Sequence, residues 1–234
     1  VFAEHLSNLI EELDDQEFIR FFDTVLEKYD IDEKALLRAT NEYTKNKTQK
    51  NLEIISQLSE PGWRELFRRL NTISEGTLKL VRMRERIRSL KNDSNNLQFF
   101  DRSLLILFKY WFNPSFLVLE SIDWSTPANI LEKIIAYEAV HEINSWDDLR
   151  ARLAPADRKC FAFFHPLMPN EPLIFVEVAL TNNMPDSISE VIKIDRPITQ
   201  EQDINTAVFY SISNCQEGLS GISFGNFLIK NVAH

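Results

Sequence analysis

The residues best placed to do chemistry lie near the C-terminal end. Three of the chain's five glycines, Gly218, Gly221 and Gly225, fall within eight residues. They sit between the strand-like run "TAVFYSIS" and the helix-like run "NFLIKNVA". Glycine lets a backbone turn through positive φ and approach a ligand closely. The N–H groups at a helix start are unpaired and the helix dipole favours negative charge, so such a loop can hold a phosphate or pyrophosphate. The same order of elements also serves as a plain strand-to-helix turn, and the spacing alone leaves both readings open. The segment is neither a Walker-type loop, because no Lys-Ser/Thr pair follows the last glycine, nor a GxGxxG fingerprint.

Other reactive side chains are sparse. His141 in "YEAVHEI" reads as a core or interface histidine on a buried helix, and His165, before Pro166, as a turn residue or, alternatively, one facing a substrate cleft; His5 and His234 are terminal. Cys160 and Cys215 have neither metal-ligand spacing nor a disulfide-scaffold pattern, so free thiols in a reducing compartment are expected.

The elements that must position the loop fall into two regions. Residues 1–153 carry apolar residues at helical spacing, for example Leu6, Leu9, Ile10 and Leu13, then Phe18, Phe21, Phe22 and Val25. Boundaries are set by "SEPGW", by "STPANIL", with Thr126 as the expected N-cap and Pro127 at the first helical position, and by "NSWDDL", with Ser145 as cap and Asp148 three residues on. The aromatic-rich stretch "LQFFDRSLLILFKYWFNPSFLVLESIDW" is expected to form bundle core or a subunit interface, with a lipid or acyl site as the alternative. After "LAPADRK" the runs "CFAFFHP", "LIFVEVAL" and "TAVFYSIS" read as strands. A polar segment between the last two should hold a short helix over 187–192, as a surface excursion or, alternatively, a lid. The fold class is therefore α+β: a helical domain over 1–153, then a sheet domain from 154.

A hydrophobic fraction of 44% with 17 Phe supplies ample core for 234 residues. The longest apolar runs, such as 104–108, fall far short of the roughly 18 residues a membrane span needs. A net charge of −9 disfavours nucleic acid as a partner. Charge is unevenly spread: residues 4–33 hold eleven acidic side chains against Arg20 and Lys28, whereas 64–91 hold nine Lys/Arg against three Glu. The basic stretch is expected to be a solvated helix face or a partner for the acidic helices, within the chain or between subunits. The acidic start "VFAEHLSNLIEELDD", without Met or a basic leader, reads as an interior start.

Several long segments, in order, resemble malonyl-CoA decarboxylases: "LEKYDID", "DWSTPANILEKIIAYEAVHEINSWDDLRARL", "KCFAFFHPLMPNEPLIFVEVALT" and "VFYSISNCQEGLSGISFGNFLIKNV". The resemblance implies a helical oligomerisation domain, with a tetramer as the expected assembly, followed by a catalytic domain of GNAT acyltransferase fold with a mixed sheet. In that fold the loop after the fourth strand grips the coenzyme A pyrophosphate through backbone amides. Carried onto this chain, the grip is Ser220, Gly221, Ile222, Ser223, Phe224, Gly225 and Asn226.

The reaction so implied converts malonyl-CoA to acetyl-CoA and carbon dioxide, serving fatty acid metabolism, with no metal, biotin or other cofactor. In the family a Ser in an "LSPIPG"-like segment and a His in an "NPVANFH"-like segment stabilise the enolate and deliver the proton. Neither segment occurs in residues 1–234, and His234 is not that His. The expectation is a fragment holding the first part of the GNAT-like domain, without catalytic residues and inactive alone. The last strand would then lack a neighbour on one side. A bacterial source would place the enzyme in the cytoplasm, a eukaryotic one in mitochondria, peroxisomes or cytosol. Two other readings stand beside this one: a GNAT acyltransferase acting on an amine, and a non-catalytic oligomerising domain with part of a coenzyme A site.

Overall fold

The computed structural model describes residues 2–233. The chain divides into two compact units, residues 1–104 and 105–234. The sequence-based boundary at 153/154 falls where the last helix before the main strands ends.

The first unit contains α1 (Phe2–Glu12), α2 (Asp15–Tyr29), α3 (Glu33–Lys45), α4 (Gln49–Leu58), α5 (Gly62–Asn71), α6 (Gly76–Leu90) and most of α7 (Asn95–Trp111). Local chemistry starts these helices: Asp14 and Glu17 form a reciprocal capping box before α2, and Asp32 and Thr48 cap α3 and α4. The core is aromatic. Phe22, Trp63 and Phe67 surround Phe100 with ring centroids 4.8, 5.6 and 6.0 Å away, and Phe18 joins through Phe22 at 5.0 Å. Edge-to-face pairs of this kind add to plain area burial.

The charge asymmetry resolves inside the unit. Lys79 of α6 reaches Glu11 at 3.2 Å and Asn8 at 2.9 Å. Arg86 pairs with Asp15 at 2.7 Å, donates to the Leu13 carbonyl and lies 4.3 Å over the Phe18 ring.

The second unit is built on β1 (Val118–Ile122), β2 (Arg158–Phe164), β3 (Ile174–Thr181) and β4 (Thr206–Asn214), ordered β1-β2-β3-β4 with every neighbour antiparallel. The helical reading of residues 1–153 is corrected by β1, which pairs with β2 from Val118↔Phe164 to Ile122↔Cys160. Pro114 has already broken the helical run, and the five residues "VLESI" alternate too briefly to announce a strand.

Helices α8 (Ala128–Tyr137) and α9 (Trp146–Leu153) bury Ile130, Leu131, Ile134, Leu149 and Leu153 against Cys160, Ala162, Phe164 and Phe175. Helix α11 (Gly225–Ala233) packs on β2 and β3, its Phe227 ring stacked 5.4 Å from Phe163. Strand positions alternate between faces, so Phe163 and Phe164 point to opposite sides. Among the described residues, strand β4 pairs with β3 alone and is an edge strand. In its register with β3, Glu177 pairs with Ser211 and Val178 with Phe209, leaving Tyr210 as the extra residue of a bulge.

Ser145 caps α9 by accepting from Asp148 N–H at 3.1 Å, as its spacing predicts. Thr126 does not cap α8: its hydroxyl accepts the Asp123 N–H at 3.0 Å, and Pro127 occupies the cap position without a side-chain bond.

The polar segment after β3 contains the expected short helix, α10 (Ile188–Ile192), and is fastened down. Arg196 forks onto the Asp157 carboxylate at 2.6 and 2.9 Å, Thr199 N–H adds a 3.0 Å bond, and Arg158 donates to the Val191 carbonyl at 2.7 Å. Val191 packs on Ala179 and Tyr210. Burial works to raise the Asp157 pKa, but these donors and the charges of Arg158 and Arg196 outweigh it and hold the carboxyl below its ordinary value. A depressed carboxyl stabilises the fold above its unfolded pKa, and that contribution is lost as pH falls through its folded value. Asp157→Asn is expected to speed amide exchange over residues 187–199 at neutral pH at least several-fold. Hydrogen exchange by mass spectrometry checks this; exchange as slow as in the parent chain would contradict it.

Candidate functional site

Strand β4 ends at Asn214 and delivers the chain into the glycine loop. A 3-10 turn at Glu217–Leu219 is closed by Leu219 N–H to Gln216 O at 2.9 Å and Ser220 N–H to Glu217 O at 3.0 Å, and Ile222 N–H bonds Leu219 O at 3.1 Å. Gly221 has φ +91°, and a Cβ there would stand 3.2 Å from a Leu105 methyl, so both conformation and space call for glycine. Phe224 is 2% exposed, its side chain turned into the core just before α11 begins at Gly225. A Cβ at Gly225 would have its nearest neighbour 4.0 Å away, at Ile174 Cδ1.

Among the described residues, the backbone N–H groups of Gly221, Ser223, Phe224, Gly225 and Asn226 have no hydrogen-bond acceptor. They border a concavity of about 500 Å³ lined by Gly221, Ile222, Ser223, Phe224, Gly225 and Asn226 from the loop, and by Ile174, Ile212, Asn214 and Ile229. Ser220 borders an adjoining hollow of about 160 Å³ together with Gly221, Ile222 and Phe224. The seven candidate residues are thus gathered in one place. No Lys or Arg lines the larger concavity, so an anion there would meet amides and the N-terminal end of α11. Its β-strand floor escaped the sequence reading, because Ile174 comes to Asn214 only through β3–β4 register.

A second polar cluster, unforeseen, lies beneath α8 and α9. Glu138 accepts from Ser211 Oγ at 2.7 and 2.9 Å, from Ser213 Oγ at 3.2 Å, and from the N–H groups of Val140 and His141 at 2.9 and 2.8 Å. His141 therefore sits in a half-buried turn after α8, which ends at Tyr137, and not on a buried helix. Next to Ser211 in the sheet, Glu177 is fully buried; one oxygen is 3.1 Å from Arg152 and the other has no hydrogen-bond partner. Burial, with Glu138 adding to it against the pull of Arg152, pushes the Glu177 carboxyl up to about 7.

That raised value has a sign. The native chain holds a proton that the unfolded chain releases near pH 4.5, so this group's contribution to stability falls as pH rises toward 7. Glu177→Gln is expected to flatten that decline in urea midpoints between pH 5 and 7; an unchanged slope would assign it to other groups.

His165 is a turn residue, as expected. Leu167 N–H donates to its Nδ1 at 3.2 Å, its Nε2 meets the Trp111 carbonyl at 3.2 Å, and its ring lies 4.9 Å from that of Phe112. These bonds suit one neutral tautomer, and burial lowers the pKa against the pull of the carbonyl. Cys160 and Cys215 are buried free thiols whose pKa values burial raises. His234, excluded above as a catalytic group, lies outside the described residues. No group of three or more His, Cys, Asp or Glu able to hold a metal ion occurs among the described residues.

Comparison with known proteins covers both units. The family "Malonyl-CoA decarboxylase N-terminal domain" matches residues 29–112, and "Malonyl-CoA decarboxylase C-terminal domain" matches residues 115–234. Mitochondrial malonyl-CoA decarboxylase from Anser anser anser is 38% identical over 178 residues, which is 74% of this chain and 35% of that protein. The Rattus norvegicus enzyme is 35% identical over 178 residues, 74% of this chain and 36% of its own. The chain spans about a third of the length of these curated relatives. Crystal structures of malonyl-CoA decarboxylase from Rhodopseudomonas palustris and Agrobacterium vitis each superpose with a TM-score of 0.92 at 47% identity, over 99% of this chain and 56% of theirs. That from Cupriavidus metallidurans gives 0.72 at 31%, over 99% of this chain and 52% of its own. Two adjoining domain matches, relatives from bacteria and mitochondria, and solved structures that follow nearly every residue agree: the chain belongs to the malonyl-CoA decarboxylase family.

Proposed function

We propose that this chain contributes the coenzyme A grip of a malonyl-CoA decarboxylase, a carboxy-lyase. The observation that carries the reading is the set of unpaired amides of Gly221, Ser223, Phe224, Gly225 and Asn226 around the start of α11, bordering a concavity without cationic side chains. Such a site suits a pyrophosphate held by backbone donors. In the reaction, the bond between the α-carbon and the carboxylate breaks, and its electron pair passes into the thioester to form an enolate. The α-carbon then takes a proton, giving acetyl-CoA. The thioester is itself the electron sink, so the chemistry calls for neither metal nor biotin. It does need an oxyanion-stabilising donor and a proton source. The family's Ser and His fill these roles in segments absent from residues 1–234, and none of the residues described above is assigned to either.

The helical unit is proposed to mediate homo-oligomerisation, with a tetramer as the expected assembly. The α3–α4 pair, which buries no residue and exposes Leu37 and Leu52, supports that reading. No helix among the described residues is long and apolar enough to cross a membrane. Compartment follows source, bacterial cytoplasm or a eukaryotic organelle or cytosol. A coupled assay of acetyl-CoA production, on this chain and on the chain continued to the length of its relatives, tests the activity. Production by the longer protein is expected. Its absence there, or acyl transfer to an amine in its place, would overturn the decarboxylase reading.

A further inference from the structure

The grip stands on a hydrogen-bonded root. Gln216, the residue before the 3-10 turn, is 9% exposed, and its Nε2 donates to the Pro172 carbonyl at 3.0 Å, across 44 positions of sequence. Its neighbour Cys215 donates its N–H to the Leu173 carbonyl, also at 3.0 Å. These two bonds fasten the start of the loop to the β2–β3 connection. That connection is itself fixed: Met168 N–H closes on His165 O at 2.7 Å, and Lys133 of α8 donates to Asn170 O at 2.7 Å and to the buried Glu171 carboxylate at 2.8 Å. At its other end Gln216 offers its carbonyl to Leu219 N–H, the first bond inside the loop. One residue therefore joins the rigid connection to the first turn of the grip.

We propose that Gln216 is a positioning residue for coenzyme A, its side-chain bond to Pro172 setting where the amides of Gly221 to Asn226 stand above the sheet. The inference rests on the coenzyme A reading of the loop. Converging amides act as a set only when each is held within about 0.5 Å of its productive place. A long side chain with several free torsions supplies that precision only when its end is bonded and buried. Losing the donor leaves the Pro172 carbonyl unpaired in the interior and lets the loop root shift.

The test is calorimetric titration of coenzyme A into the chain and its variants. Gln216→Met keeps length and bulk but removes the donor, and is expected to weaken binding about tenfold. Gln216→Glu places an ionised oxygen against the Pro172 carbonyl at pH 8 and is expected to bind weakly. Protonation as the pH is lowered restores an O–H donor, so affinity recovers relative to the parent measured at the same pH as this carboxyl titrates. Burial of a merely space-filling side chain would give no such pH-dependent rescue. Parent-like affinity in Gln216→Met, or weak binding by Gln216→Glu across the whole titration of its carboxyl, would overturn the positioning role. Failure of the parent chain to bind coenzyme A would instead overturn the reading of the loop on which it rests.

Discussion

Gly225→Asp is expected to lower the affinity for coenzyme A by about a hundredfold or more while leaving the melting temperature unchanged or slightly raised. The position offers room, because the nearest atom to an added Cβ is 4.0 Å away. It is also the first residue of α11, where a carboxylate complements the helix dipole by about 0.3–1 kcal/mol. In the proposed grip the same carboxylate would lie beside the pyrophosphate, where like charges about 4 Å apart oppose each other by several kcal/mol at a partly buried site. Stability and affinity therefore move independently. Gly221→Asp should also abolish binding, but less informatively, since φ +91° and the Leu105 contact strain any side chain there. Calorimetry paired with a thermal melt decides: a folded Gly225→Asp variant with parent-like affinity would remove the anion from this loop.

The helical unit supplies the other large effect. Arg84 is completely buried, its Nε and a terminal nitrogen each 2.9 Å from Asp101 Oδ1, while Lys91 and Arg88 stand 3.5 and 4.0 Å from Oδ2. One carboxylate thus faces three cations. Asp101→Ala removes the carboxylate that two nitrogens of the buried Arg84 bond and is expected to cost about 3–5 kcal/mol of stability, read from urea unfolding. Replacing both members with apolar residues, Arg84→Met with Asp101→Leu, should recover most of the loss, since the desolvation of both charges disappears as well. A loss below about 1 kcal/mol for Asp101→Ala would show that water reaches this pair.

What could be read directly from the chain was local. The strands within "CFAFFHP", "LIFVEVAL" and "TAVFYSIS", the Ser145 cap and the short helix near residue 190 each have their cause within a few residues, and each stands close to where its pattern put it. The opposed charges of residues 4–33 and 64–91 were legible too, because Lys79 and Arg86 needed only complementary partners such as Glu11 and Asp15. Features that depend on register were not legible. Strand β1 is defined by its pairing with β2, the Tyr210 bulge by the shift against Glu177 and Val178, and the site floor by Ile174 meeting Asn214. The Thr126 hydroxyl is taken by the Asp123 N–H in a local turn, which the capping pattern does not announce. The Glu138–Ser211 cluster joins residues 73 positions apart and leaves no periodic trace.

The amides of the loop can be watched individually. In 15N-resolved spectra of the chain titrated with coenzyme A, the signals of Gly221, Ser223, Phe224, Gly225 and Asn226 are expected to move together with one saturating affinity. Inorganic pyrophosphate should move the same five in the same directions. Coenzyme A binding that leaves these five signals in place while shifting others would contradict the grip.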